Sequence, residues 1–324
     1  MFGLSVSSVL KHWDHDESLQ DLPALLRAHI SQSALTQEIE SSLREENFSD
    51  AKMYLDIAKF HQYQVEFSKY LEEIALKDTS LNRISHQITD FSRGFLRGEA
   101  SNTAGFVGSL SADFTVIGDA RDLHQQYNLY EKGEKTNELI IVLSGAGIGL
   151  TAVTLGSLGI AAPIKMGTSL LKVATKTQRL TLRFQKILLK SGRKAFDWPA
   201  FRAMVKQDKS IANVRHAVKQ AYHPNAVEPL KLIAKRISNI RQSSSAADTI
   251  QMLKYIETTD DLRHLEKVTV KYGSKTKGMM KLLGKGAIRT VRVLRKTTVL
   301  MISVITGVIS SLLSLFFMMG FRRT

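Results

Sequence analysis

Near the start, His12, Asp14, His15, Asp16 and Glu17 place imidazole and carboxylate side chains close together, a mixture that suits a divalent ion. No further ligand group stands near them, so the reading adopted is an acidic helix start in solvent and no metal is expected. Asp119 and Asp122, with Arg121 between them, form a charged knot. Paired acids can move protons, but no nucleophile or metal ligand keeps them company, so capping and ion pairing is the role expected of them. The run IIVL followed by Ser144-Gly145-Ala146-Gly147-Ile148-Gly149 looks like a strand entering a dinucleotide-binding turn. That fingerprint needs a third glycine where Leu150 stands and an acid about 20 residues further on. The next acid after Glu138 is Asp197, and Lys165 and Lys172 occupy the region where a ribose-binding carboxylate would fall. No cofactor is expected, and no catalytic motif remains that would make the chain an enzyme.

A second kind of chemistry is electrostatic. Lys172, Lys176, Arg179, Arg183, Lys186, Lys190 and Arg193 follow one another at alternating steps of four and three, which puts all seven on one face of a single helix. Basic amphipathic helices lie on anionic headgroups, so these residues are expected to contact lipid. Lys285, Arg289, Arg292, Arg295 and Lys296 make a second polybasic run with the same expectation. The net charge of +15 conceals a split: residues 1–138 carry 13 Lys/Arg against 22 Asp/Glu, and residues 165–296 carry 30 against 8. Such asymmetry points to an anionic surface. Nucleic acid is the weaker candidate, because zinc spacings, an RNA-binding aromatic signature and a recognition helix are all missing. With no cysteine in the sequence, disulfides, thiol catalysis and cysteine metal sites are excluded.

Two uncharged stretches must position these groups. Leu139 to Ile164 holds twenty-six residues without a charge and Thr297 to Phe321 holds twenty-five, and about 20 suffice to cross a bilayer. In the first, Gly145, Gly149, Ala152, Gly156 and Gly159 form a stripe of small residues that would let another helix approach closely. Gly307 and Ser311 in the second stretch could dock on that stripe. The expected fold is all-α: a helical membrane protein divided into an acidic bundle (1–92), a Gly-rich connecting segment (93–138), a transmembrane or re-entrant helix (139–164), a basic helical region (165–296), a transmembrane helix (297–321) and a short tail (322–324).

Within the bundle, Leu22, Leu25, Leu26 and Ile30 make one helical face with Pro23 in its first turn. Ser49 is expected to cap a long helix carrying Met53, Ile57, Phe60, Phe67, Leu71 and Ile74, and a further helix is expected over Leu81 to Phe95. In the basic region, Asp197 ahead of Pro199, His223-Pro224-Asn225, Gln242 to Ser245, and Thr258 to Asp261 mark starts and turns. The first residues show no basic leader or cleavage site, so no secretory signal is expected.

The block from Gly94 through Leu189, with its GDARDL, NELIIVLSGAGIG and IAAPIKMGTSLLK segments, resembles a helical, membrane-associated region of uncharacterised proteobacterial proteins. Similar stretches precede effector modules in some polymorphic toxins. The segment TTDDLRHLEKVTVKYGSKTKGMMKLLGKGAIR is similar to a downstream part of the same uncharacterised family. The resemblance implies a bacterial inner-membrane protein and supplies no catalytic residues.

The function expected is scaffolding or interaction at that membrane, with anionic phospholipid as one partner, and a protein bound to the acidic bundle or a second copy of the chain as others. The alternative is a membrane-permeabilising protein of colicin type. Positive charge beside the spans favours a cytoplasmic basic region. Two spans would then leave the N-terminal 138 residues outside; a single C-terminal span would leave both halves in the cytoplasm.

Overall fold

Polar caps and helix-period apolar residues together fix most of the elements. The structure is a computed structural model that describes residues 15–19, 21–78, 116–154, 161–208, 211–288 and 290–294. Helix α1 (Leu22–His29) starts where Asp21 accepts a hydrogen bond from the Ala24 amide, with Pro23 in the first turn. Helix α2 (Gln32–Arg44) is capped by Ser31. Helix α3 (Phe48–Phe60) is capped by Asn47, two residues before the expected Ser49, and α4 (Phe67–Lys77) follows as a separate helix. The single long helix expected there is broken because Gln62 takes a left-handed conformation, φ 60°. The helix expected over residues 81–95 lies outside the described residues.

Helices α5 (Val116–Glu131), α6 (Glu138–Thr154) and α7 (Ala161–Lys176) come next. They are followed by α8 (Leu182–Ala195), α9 (Trp198–Gln207), α10 (Ile211–Ala221) and a 3-10 turn at Pro224–Ala226. Helices α11 (Glu228–Ser243), α12 (Ala246–Leu253), α13 (Thr259–Tyr272) and α14 (Lys275–Leu283) complete the set, ending in a 3-10 turn at Gly284–Ile288. Asp197 caps α9 and Thr258 forms a capping box with Asp261 on α13, as their spacing implied.

Asp21–Ile288 forms one compact unit, which holds all of these helices. The other unit comprises residues 1–20 and 289–324, of which a two-stranded antiparallel ribbon is described: β1 (His15–Leu19) and β2 (Thr290–Leu294), with Glu17 opposite Arg292 in register. The all-α expectation holds for Asp21–Ile288, and the ribbon replaces the acidic helix start expected at the N-terminus.

No described helix is long and apolar enough to cross a membrane. Of the stretch Leu139 to Ile164, expected as a transmembrane or re-entrant helix, the described residues belong to two elements, the 17 residues of α6 (Glu138–Thr154) and the start of α7 (Ala161–Lys176). A helix that is apolar all round must be buried, either in lipid or in protein. Here the cover is protein, because α5, α7, α8 and α10 pack around α6. Leu139, Ile140, Ile141, Val142, Leu143, Ala146 and Ile148 are all buried, and Ile141 and Ile148 share a cluster with Leu123, Tyr127, Phe196, Phe201 and Val218.

The glycines of α6 serve that burial in a way the sequence did not suggest. A Cβ at Gly145 would overlap the Phe196 ring, and one at Gly149 would overlap the Tyr222 ring. Phe196 and Tyr222 are themselves joined as an antiparallel bridge, closed by Asp197 N donating to Ala221 O (2.8 Å) and His223 N donating to Ala195 O (2.9 Å). Bridged residues sit about 5 Å apart, and four helical residues rise about 6 Å. The two glycines therefore match the spacing of the two aromatic rings. The expected helix-docking stripe is, at these positions, an aromatic cradle inside the chain.

Candidate functional site: buried lysine clusters and the basic face of α8

Asp119 and Asp122 stand one turn apart on α5, and Lys172 and Lys176 stand one turn apart on α7, so the two pairs can face each other. Lys172 Nζ donates to Asp119 Oδ1 (2.5 Å) and to Asp122 Oδ2 (2.9 Å), and Lys176 Nζ donates to Asp122 Oδ1 (2.9 Å). Lys172 is completely buried, and each aspartate is 2% exposed. Gly147 permits this: a side chain there would collide with the Asp119 carboxylate, so α6 can pass directly beneath the cluster. Asp119 Oδ2 and the Ser144 hydroxyl have no hydrogen-bond partner among the described residues. Groups so thoroughly enclosed offer a substrate no approach in this conformation; what they do is clamp α5 to α7 over α6.

Burial raises the Asp119 pKa against the pull of Lys172, whereas Asp122, despite burial, is held below the ordinary carboxylate value by Lys172 and Lys176 together. Desolvation works against the Lys172 charge too, but its two carboxylates outweigh it and raise its pKa. Asp119 is thus the carboxyl that takes a proton first. The consequences for stability have opposite signs. The depressed Asp122 contributes stability that is complete above its unfolded value near about pH 4 and disappears as pH falls through its lower folded value. The raised Asp119 costs stability as pH rises through its folded value, and acidification returns it. Asp122→Asn should therefore lower the urea midpoint at neutral pH and flatten its acid fall, and Asp119→Asn should cost clearly less. Denaturation curves from about pH 3 to about pH 7 check this; a larger loss for Asp119→Asn at neutral pH reverses the assignment.

A second cluster has the same design. Asp50 on α3 accepts from Lys277 and from Lys281 (2.8 Å) on α14, and Lys277 also pairs with Asp248 on α12 (2.7 Å). Asp50 is 2% exposed, and although desolvation opposes it, the two lysines hold its pKa below the ordinary value. In the sequence Lys277 stands among the cations that lead toward Thr297, where a lipid-facing role is expected, and Asp50 carries no mark; the structure instead pairs the two inside the unit.

These contacts account for part of the charge split. Asp50 with Lys277 and Lys281, Asp119 and Asp122 with Lys172, Asp122 with Lys176, and Glu138 with Arg193 all join an acid from residues 1–138 to a base from residues 165–296. Some of the charge of each half is therefore spent inside the chain, and the excess of positive charge in residues 165–296 remains. The same contacts do not fit the arrangement with two spans, which would put a membrane between Asp50 of α3 and Lys277 and Lys281 of α14.

The basic stripe expected over Lys172 to Arg193 is divided likewise. Gln178 is left-handed (φ 56°), Thr181 caps α8, and its hydroxyl donates to Ile256 O (2.5 Å), so α7 and α8 are separate helices. Lys172 and Lys176 are engaged in the cluster, and Lys172 can meet no headgroup. Arg179 is partly exposed between the two helices. On α8, Arg183 lies 3.6 Å from Glu257 and Arg193 makes a two-pronged pair with Glu138. Lys186, Lys190 and Lys194 are exposed and have no ion-pair partner among the described residues.

Lys285 pairs with Glu257 (3.1 Å) and Asp261 (3.2 Å), while Arg292 lies on β2. Ala152 lies on α6. Gly156, Gly159, Arg289, Arg295, Lys296, Gly307 and Ser311 lie outside the described residues, as do His12 and Asp14. His15, Asp16 and Glu17 are on β1, and among the described residues no group of three His, Asp or Glu could hold a metal. No protein-family model, curated protein or solved structure matches this chain. The functional reading therefore rests on the geometry of these residues and on the unspent sequence signals.

Proposed function

We propose that this chain is an interaction or scaffold protein held at a bacterial inner membrane by one C-terminal anchor, with the helical unit Asp21–Ile288 on the cytoplasmic side. The observation that carries the reading is the enclosure of α6 by α5, α7, α8 and α10. With that stretch committed to protein, Thr297 to Phe321 is the one long uncharged run left to meet lipid, and at 25 residues it is long enough. Arg289, Arg292, Arg295 and Lys296 lead directly into it, and such a run marks the cytoplasmic flank of a span.

The absence of native cysteine permits a direct test. Cysteines introduced singly at Ser33, Ser191 and Thr324 are treated in intact cells with a thiol reagent that passes the outer membrane only. Labelling at 324 alone is the expected result. Labelling at 33 as well as 324 restores two spans, and labelling at 191 removes the cytoplasmic assignment of the basic region.

One observation favours the alternative, a membrane-permeabilising protein: beyond Glu138 at its first position α6 carries no charge, and it is sheathed in amphipathic helices, the arrangement an insertion step would need. Against it, α7 carries buried Lys172 and so does not form an apolar hairpin with α6. Dye release from anionic liposomes at low protein-to-lipid ratio would favour this alternative over the scaffold.

A further inference from the structure

Helix α8 separates its residues sharply. Phe184, Leu188, Gly192 and Ala195 are buried, and Gly192 has no Cβ because Val142 of α6 occupies that space. Arg193 is tied to Glu138, and Thr181 to the Ile256 carbonyl. The helix is thus fixed on three sides against the unit. Its outward face carries Lys186, Lys190 and Lys194 at steps of four, a row about 12 Å long. The sequence of α8 contains no acid, so these three charges have no counter-charge on their own helix, in contrast to Lys231 of α11, which meets Glu228 one turn away. At the start of the same helix Leu182 is 77% exposed, the highest exposure of any large apolar side chain described.

We propose that the lysine row Lys186, Lys190 and Lys194, with Leu182 at its end, is a docking face for an anionic phospholipid surface. Charge complementarity selects this occupant. A flat rank of ammonium groups without donors in a planar fork matches a field of phosphates better than a defined acidic peptide, for which bidentate arginines would be the stronger readers. Leu182 supplies the apolar contact that shallow seating in the headgroup layer requires. Lys172, by being internal, and Lys176, by pairing with Asp122, leave the face narrower than the sequence pattern implied. Three cations near an anionic leaflet together strengthen association about a hundredfold, and salt weakens it.

This inference rests on the anchored reading above, and the test keeps the two apart. The full chain is prepared with one cysteine, either Leu182→Cys or Ser310→Cys, carrying an environment-sensitive fluorophore. It is reconstituted in phosphatidylcholine discs with and without phosphatidylglycerol. The expected result is an apolar signal from position 310 in both discs and a blue shift at position 182 only with phosphatidylglycerol. That shift should disappear at high salt and in the variant Lys186→Glu, Lys190→Glu, Lys194→Glu. Because all three lysines are exposed, the variant should keep its circular dichroism spectrum and unfolding midpoint.

If position 310 is in lipid but position 182 does not respond to phosphatidylglycerol, the docking face is refuted and the anchor stands. If position 310 remains in water while position 182 responds to phosphatidylglycerol vesicles, the anchor is refuted and the docking face stands. A response at position 182 to duplex DNA equal to that for phosphatidylglycerol overturns the assignment to lipid.

Discussion

Lys172→Ala should destabilise the helical unit by about 3–5 kcal/mol, the cost of leaving buried carboxylates without their cation. Lys172 is completely buried and bonds both Asp119 and Asp122. Lys176 can still reach Asp122, but Asp119 would lose its bond to Lys172 and keep the attraction of Lys165. An electrostatic clamp, unlike a steric one, should also tolerate the joint loss of its charges. Combining Lys172→Met with Asp119→Asn and Asp122→Asn removes the charges together and should recover a large part of the loss, since a buried ion pair replaced by neutral groups of similar size is often tolerated. Lys176, which is 30% exposed, can turn to water when Asp122 is neutralised. Urea midpoints of the single and triple variants in mild detergent decide the matter. A triple variant as unstable as Lys172→Ala would mean that shape, not charge, makes the cluster necessary.

How far the fold could be read from the sequence follows from what kind of signal each element leaves. Caps are local, so Asp197, Thr258 and the turn at His223-Pro224-Asn225 could be found without knowing any partner. The break at Gln62 and the break at Gln178 have no local glycine or proline to announce them; each is a non-glycine residue in the left-handed region. A regular apolar or basic period therefore ran straight across both. Burial is the least local property of all. A lysine at helix spacing among other cations reads as a solvated face, and only the arrival of Asp119 and Asp122 from α5 makes Lys172 an interior residue.

Asp50 stands three and seven residues before Met53 and Ile57, on the apolar face of α3, where a charge must find a partner if the face is buried. That partner, Lys277, lies 227 residues away, and no spacing rule reaches so far. The glycine stripe shows the opposite case, a pattern seen correctly and given the wrong neighbour. Small residues announce close approach without saying what approaches, and here it is the aromatic pair Phe196 and Tyr222. Gly149→Leu should accordingly lower the unfolding midpoint of the isolated chain, an effect visible without any second helix or second copy.

The largest packing effect should come from a different glycine. Gly167 lies on α7 where α7 crosses α11, the most extensive helix contact in the unit, and a Cβ there would collide with the carbonyl oxygen, carbonyl carbon and Cα of Ala234. At Gly145 and Gly149 the obstacle is a side-chain ring, which can move by itself without displacing a helix backbone. At Gly167 it is backbone, held in the hydrogen-bonded ladder of α11, and neither helix can yield without moving as a whole. Gly167→Val should therefore cost about 3 kcal/mol or more, at the upper end of overpacking penalties, and Gly167→Ala should already exceed the cost of Gly149→Ala. Moving α7 away from α11 also pulls Lys172 from Asp119 and Asp122, so the two losses are coupled. In a double-mutant cycle, Gly167→Ala combined with Lys172→Ala should destabilise by less than the sum of the separate effects. Strict additivity would show that the crossing of α7 with α11 and the lysine clamp on α5 act independently, and the account of α7 as the element that positions the cluster would fall.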